Sequence, residues 1–237
     1  MKNLVITGCG IKALSHINRE NQVAIEQADI VFYLVNEPVT EQWIKSKSKR
    51  CQSLYALYHS TDARAKAYIK ISDHVLESFK VFNNVCVVVY GHPLLLSNPI
   101  DRLISQAGEA NINLTITPAI SSFDCLLADL KIDPFWGCIS IEANALIKED
   151  KHIDNTYHLI IWQIGIINDN KAAETNGSIS LGLLINKLLK TYEKNHECII
   201  YEASIYPHIQ PKIIRTRIGQ IDLHNTSRIS TLYIPPK

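Results

Sequence analysis

The sequence predicts an α/β fold in two domains, and three observations carry that prediction. Short apolar runs of the kind that form buried strands recur through the first half, with helix-period stretches between them. The strongest run, Val85-Cys86-Val87-Val88-Val89-Tyr90, is apolar at almost every position, as a central parallel strand covered on both faces is. The second half has a different texture, with strand signals separated by fewer helices. A length of 237 residues allows one or two domains at about 150 residues each. The expected division is 1–117, an N-terminal α/β domain with a mostly parallel sheet, and 118–237, a C-terminal mixed α+β domain.

The elements follow in order. Leu4-Val5-Ile6 reads as a buried strand that ends at Gly8-Cys9-Gly10. A first helix is expected to gather Leu14, Ile17, Ala24, Ile25 and Ala28 near one face. Ile30 to Val35 is the second strand. A long helix is expected from Asp62 to Phe82, with Asp62 as its cap. After the Val85–Tyr90 strand, Ile112 to Thr117 gives another, ended by Pro118. Further strands are expected near Cys138–Glu142, Leu159–Ile164, Cys198–Ala203 and Ile213–Ile221, with helices at Ser122–Leu130 and Leu181–Tyr192. The polar stretch Asn168–Gly177 reads as a surface loop.

Composition narrows the functions. Apolar residues make up 46% and charged residues 20%, enough to bury a core. Lys+Arg number 24 and Asp+Glu 23, a net charge of +1, which speaks against a nucleic-acid binder and a polybasic membrane anchor. No run of apolar residues reaches membrane-spanning length, and the N-terminal run is too short for a signal peptide. The six cysteines are scattered without a CxxC pair, so buried reduced thiols are expected and no metal. A cytoplasmic protein is the expectation.

Four clusters carry chemistry. Thr7-Gly8-Cys9-Gly10 follows the first strand, where glycines let backbone approach a ligand; with Ala13 it formally fits a loose dinucleotide fingerprint. The matching ribose acid, Glu37, is followed directly by Pro38, and a ligand-free glycine turn is the plainer alternative. Tyr90-Gly91-His92-Pro93 lies at the carboxyl end of the central strand, where open α/β sheets bind ligands. Ser121 and Ser122, after Pro118, can cap a helix or present free N–H groups to a polar ligand. Tyr55, Tyr58, Arg64 and Tyr68 form the fourth: Arg64 and Tyr68 share a helix face, and Tyr58 lies where it can fold back over them. A guanidinium beside a phenol favours the phenolate, so an acid/base pair is possible; ring packing with a solvated arginine is the alternative.

These pieces, in this order, resemble the tetrapyrrole (corrin/porphyrin) methylase superfamily, and within it the borosin peptide-backbone α-N-methyltransferases. The carrying strings are TGCGI at 7–11, QADIVFYLVNEPVTEQWI at 27–44, SLYALY at 53–58, RAKAY at 64–68, YGHP at 90–93, DCLLADLKIDP at 124–134, WQIG at 162–165 and STLYIPPK at 230–237. The resemblance implies two α/β domains with a cofactor cleft between them, binding S-adenosyl-L-methionine and releasing S-adenosyl-L-homocysteine. It places Tyr58, Arg64 and Tyr68 around the substrate amide and Tyr90 at the junction of donor and substrate. His92, Leu95, Ser121, Ser122, Gln163, Ala203, Ser230 and Thr231 fall on positions that line the donor cleft, joined by Gly10 of the glycine turn. Departures are Leu94 for the family glycine after GHP, Ala119 for a glycine and Phe123 for an acidic residue.

The resemblance further implies a homodimer, extended to a heterotetramer when it carries its precursor. Because the chain stops at Lys237 where fungal borosin enzymes continue into their substrate, a separate precursor peptide is expected. Other readings stand beside this one: a superfamily methyltransferase acting on a tetrapyrrole or RNA, a non-catalytic donor- or peptide-binding module, and a nicotinamide-dependent oxidoreductase.

Overall fold

A computed structural model of the chain describes residues 1–61, 63–96, 98–168 and 178–237, without side-chain detail at 98, 99 and 178–180. The chain divides into two compact units, the first comprising 1–125 with 205–209, the second 126–204 with 210–237.

The first unit alternates strand and helix. Its elements are β1 (Asn3–Gly8), α1 (Arg19–Gln27), β2 (Ile30–Leu34), α2 (Pro38–Lys47), β3 (Cys51–Ser53), α3 (Tyr55–Tyr58), α4 (Arg64–Glu77), β4 (Asn84–Val89), α5 (Asn98–Glu109) and β5 (Asn113–Ile116). The strands form one sheet in the order β3-β2-β4-β1-β5, and every neighbouring pair is parallel. The apolar run of β4 is explained by cover on both faces. Val85, Val87 and Val89 join Leu4, Ile6 and Phe32 under Ile71 and Val75 of α4 and Leu103 of α5. Cys86 and Val88 point the other way, with Val31 and Tyr33, toward Ile25 of α1 and Ile44 of α2. Burying one such side chain contributes about 1.5–3 kcal/mol.

The chain leaves β1 toward the β3 edge and leaves β4 toward the β5 edge, although β1 and β4 are neighbours. Loops departing in opposite directions open a crevice at the carboxyl ends of these two strands, the place where doubly wound sheets hold ligands.

The second unit continues from α6 (Ser122–Leu130), which runs through the boundary. It contains β6 (Cys138–Glu142), α7 (Ala143–Lys148), β7 (His158–Trp162), α8 (Ser178–Leu188), β8 (Glu197–Glu202), β9 (Lys212–Arg217) and β10 (Thr231–Ile234). Its sheet, in the order β6-β7-β10-β8-β9, is mixed. Only β6 and β7 pair in parallel, while β10 runs antiparallel to β7 and β8, and β9 to β8. Leu159, Ile161, Ile200 and Leu232 pack from one face against Leu146 of α7 and Leu181, Leu184 and Leu188 of α8.

Several elements depart from expectation. α1 starts only at Arg19, capped by the Asn18 side chain on the Asn21 N–H. Leu14 therefore lies outside it, at φ +59° and 40% exposed. The helix expected over Asp62–Phe82 runs from Arg64 to Glu77, followed by a 3-10 turn at Ser78–Lys80. Asp62 lies outside the described residues, and Ala63 occupies the cap position without a side-chain bond. The Ile213–Ile221 strand ends at Arg217, where a 3-10 turn over Ile218–Leu223 begins. The helix expected over Leu181–Tyr192 is Ser178–Leu188. The expected loop at 168–177 falls, from 169 onward, outside the described residues.

Sequence reading passed over α2 because Pro38 looks like a breaker. Here proline stands in the first turn, where its missing N–H costs nothing. The Glu37 carboxylate closes the start by accepting from the N–H groups of Val39 and Thr40 at 2.8 and 2.7 Å.

Candidate functional site

In the first unit the expected site residues gather at the carboxyl ends of the strands. Gly10, after β1, and Gly91, after β4, form an isolated bridge, with Gly91 N–H donating to the Gly10 carbonyl at 3.0 Å. Both carry φ near +74°, a left-handed geometry that glycine adopts without a Cβ penalty. His92 follows, half-buried, its Nδ1 accepting from the Leu94 N–H at 3.1 Å. That bond fixes the ring within its loop. Leu95 is half-buried in the same loop, and Leu94 is 50% exposed.

Ser121 stands before α6 as a helix cap. Its N–H and hydroxyl donate to one Asp124 carboxylate oxygen at 2.7 and 2.6 Å, and its Oγ accepts from the Phe123 N–H at 3.2 Å. The capping alternative raised by the sequence is therefore realised. Ser122 is the first residue of α6 and half-buried.

Asn21, fully buried on α1, ties two of these loops together. Its Nδ2 donates to the carbonyls of Gly8 and Pro118 at 2.8 and 3.3 Å. Asn21→Leu keeps the volume but strips the buried Gly8 carbonyl of its side-chain donor, while Pro118 keeps the Asn18 amide at 3.1 Å. It should destabilise the protein by about 2–3 kcal/mol in denaturant unfolding.

The aromatic cluster assembles as its spacing suggested. α3 follows β3 and presents Tyr58, whose ring lies 6.1 Å from that of Tyr68 on α4. Tyr55 stands edge-on to Tyr58 at 6.1 Å, and His59 at 5.2 Å. Arg64 opens α4 one turn before Tyr68, half-buried like both tyrosines. Burial pushes the Tyr55 phenol up to about 12, helped by Tyr58 and Cys9. Tyr90 is raised further, again mainly by burial and then by the thiols of Cys9 and Cys125. Both remain neutral phenols near neutral pH.

In the second unit four expected residues meet at one end of the sheet. Gln163 follows β7 in a left-handed conformation, φ +59°. Ala203 follows β8, and Thr231 opens β10 opposite Tyr201. Ser230 is fully buried. Its hydroxyl donates to Glu202, its Oγ accepts from the Ser227 N–H at 2.7 Å, and its carbonyl accepts from Ile164 at 3.0 Å. Ser230 thus pins β7, β8 and β10 together through its own polar groups.

With this geometry in place, the sequence was compared with known proteins. It matches the Tetrapyrrole (Corrin/Porphyrin) Methylases over residues 3–222. The chain belongs to this family. The methylase is 36% identical over 242 residues to a methyltransferase/ribosomally synthesized type I borosin cyclic peptide precursor of Coprinopsis marcescibilis. It is 35% identical over 242 residues to the corresponding gymnopeptides precursor of Gymnopus fusipes. These matches take in 99% of the chain but 62% and 57% of the relatives, so the methylase spans somewhat over half their length. Among solved structures, uroporphyrin-III-C-methyltransferase of Thermus thermophilus superposes with a TM-score of 0.67 at 11% identity, covering 99% of the methylase and 93% of that chain. The precorrin-6Y methylase of Archaeoglobus fulgidus gives 0.66 at 16%, covering 99% and 98%. These likenesses establish the fold.

Membership brings the methyltransferase domain and implies S-adenosyl-L-methionine as donor. The first unit's groups fit such a cationic, polar ligand. The half-buried Tyr90 supplies a neutral ring at the crevice, suited to a sulfonium. Behind the Gly8 turn, the buried Asn21 Oδ1 has no hydrogen-bond partner among the described residues and leaves an acceptor open.

Glu37 emerges as a residue whose role sequence reading missed. Only 5% exposed, it also accepts from the Tyr206 hydroxyl at 2.9 Å, which anchors the 205–209 segment within the first unit. Burial alone would raise its carboxyl, but the Thr40, Val39 and Tyr206 donors outweigh it and bring it down. Asp124 follows the same pattern, burial opposed by the Ser121 donors. Glu202 does too, opposed by Ser230 and Lys212. A carboxyl lowered in the folded state stabilises above its unfolded value, about 4, and loses that contribution as pH falls through the folded value. Melting temperature should therefore hold from pH ~7 to ~5 and fall steadily below pH ~4. In Glu37→Gln the acid limb of that curve should be shallower.

Proposed function

We propose that the methylase transfers a methyl group from S-adenosyl-L-methionine to backbone amide nitrogens of a precursor peptide supplied in trans. The observation that carries this reading is the phenol pair Tyr58 and Tyr68, 6.1 Å apart between ring centres, with Arg64 one helical turn before Tyr68. It is supported by the borosin-type relatives matched over 99% of the chain.

An amide nitrogen is a weak nucleophile because its lone pair is delocalised into the carbonyl. Its proton must be removed, and charge growing on the carbonyl oxygen must be met. In this reading either Tyr58 or Tyr68 first gives up its own proton to water, and its phenolate oxygen then accepts the amide proton. Tyr55 and Tyr90 are poor candidates, since burial holds both as phenols. Arg64 acts as the donor to the imidate-like oxygen, a role worth about 3–4 kcal/mol in oxyanion holes. The bound donor supplies an electrophilic methyl on a sulfonium. Tyr90 faces that cation with its ring. Gly10, His92, Leu95, Ser121 and Ser122 would line the donor in the first unit; in the second unit the family resemblance singles out Gln163, Ala203, Ser230 and Thr231. Ser121 and Ser230 act there as positioning residues, because their hydroxyls are already engaged.

The proposal includes a homodimer that forms a heterotetramer with its precursor. Phe135 and Trp136, 76% and 82% exposed and packed edge-to-face at 4.9 Å, offer apolar surface for association. Cytoplasmic placement belongs to the same proposal; among the described residues, no helix is long and apolar enough to cross a membrane.

Incubating the methylase with S-adenosyl-L-methionine and a separate apolar peptide, read by intact-mass spectrometry, tests the reading. Added methyl groups on the peptide are expected. Donor binding by calorimetry without any mass gain would mark a binding module instead.

A further inference from the structure

A basin of about 580 Å³ opens in the second unit at the end of the sheet opposite Gln163, Ala203 and Thr231. β8 runs from Glu197 at the basin to Glu202 beside Ser230. The floor is apolar, formed by Ile199 and Tyr233, both under 10% exposed. The Tyr233 hydroxyl is satisfied by His158 at 2.7 Å, so it brings no unmet polar group to the basin. The rim carries Arg215, Arg217 and Glu197.

Two features give the basin a chemistry. β9 is the edge strand of its sheet, and its burial alternates residue by residue. Arg215 and Arg217 therefore stand two apart on one exposed face. Among the described residues neither has a carboxylate within ion-pair distance, even though Glu197 lies across from Arg217 in the β8–β9 register. Two guanidiniums against one carboxylate leave an excess of positive charge over an apolar floor.

We propose that this basin is an accessory docking site for an acidic, extended segment of the precursor peptide, remote from the residues that are methylated. An extended chain repeats its side chains every second residue on one face, about 6.6 Å apart, the same spacing that separates Arg215 from Arg217. Carboxylates at alternate positions meet the two guanidiniums, which share a sheet face with Ile199 and Tyr233, and the intervening side chains turn to the opposite face of the added strand. A strand laid along β9 also uses the hydrogen-bonding groups that an edge strand offers. The inference rests on the peptide-substrate reading, but it concerns binding and is measured without the donor.

The test is fluorescence anisotropy with a labelled peptide of alternating glutamate and valine. Binding to the wild-type protein that weakens with added salt is expected. Arg215→Glu/Arg217→Glu should weaken it by at least about tenfold. Arg215→Gln/Arg217→Gln, which only removes charge, should give a smaller loss. Circular dichroism melts of both variants serve as the folding control. Unchanged affinity in either folded variant overturns the proposal, as does equal binding of a lysine–valine peptide. Displacement by equimolar inorganic phosphate also overturns it, since the basin would then hold a simple anion. Loss of methyl transfer to every peptide, with glutamate–valine binding intact, contradicts the proposed chemistry and leaves the docking site standing.

Discussion

Arg64→Lys should lower methyl transfer by at least about 10²–10³-fold while leaving donor binding within about twofold. Lysine keeps the charge but replaces a planar fork of fixed donors with a single mobile ammonium, which orients its donors less firmly. The guanidinium is asked to do two things: meet the carbonyl oxygen as it gains charge, and favour the phenolate of the tyrosine that takes the proton. Tyr68→Phe removes one phenol while preserving the ring packing against Tyr58 at 6.1 Å, so it should show a loss of similar size. Calorimetry with S-adenosyl-L-methionine and single-turnover mass spectrometry separate the effects. Parallel loss of donor affinity in both variants would move these residues to the donor site or to the scaffold.

Gly8→Ala is expected to have the largest effect on stability. A Cβ placed there lies 1.9 Å from the Gly91 carbonyl oxygen and 2.7 Å from the Ala119 Cβ. Both are on or next to the main chain, so neither can swing aside. The close approach is what sets the β1 and β4 loops side by side at the crevice. Relieving the clash by separating them should cost about 3 kcal/mol or more and lower the melting temperature by roughly 6–12 °C. Donor affinity should fall with it. Gly108→Ala, where nothing lies within 4 Å of the added Cβ, is the matched control and should be neutral or slightly stabilising. Equal melting temperatures for the two variants would contradict this account of the crevice.

What could be read from the sequence was whatever depends on local pattern. β1, β2 and β4 were legible because a two-sided sheet makes their strands apolar at nearly every position. The shared face of Arg64 and Tyr68 was legible because they stand one four-residue step apart on a helix, and the approach of Tyr58 because it lies a short way upstream of that helix. α2 and α5 were not, since Pro38, Pro99 and Gly108 each resemble breakers, yet the prolines stand in first turns and Gly108 in the last. β10 was missed as a strand because its place is set by distant partners, β7 and β8. The Glu37–Tyr206 bond joins residues 169 positions apart, beyond any periodicity. Ser121 and Ser230 show the converse. The family resemblance singled them out, whereas their bonding partners, Asp124 and Glu202, become evident only in three dimensions.

The central claim is that a phenol–guanidinium pocket makes a peptide nitrogen reactive toward a sulfonium methyl. Fragment-ion mass spectrometry of the peptide product tests it most directly, because it locates each added methyl along the chain. The account predicts methyl groups on main-chain nitrogens, absent when Arg64→Lys or Tyr68→Phe replaces the wild-type enzyme. Methyl groups on side chains, or main-chain methylation that persists in both variants, would contradict it.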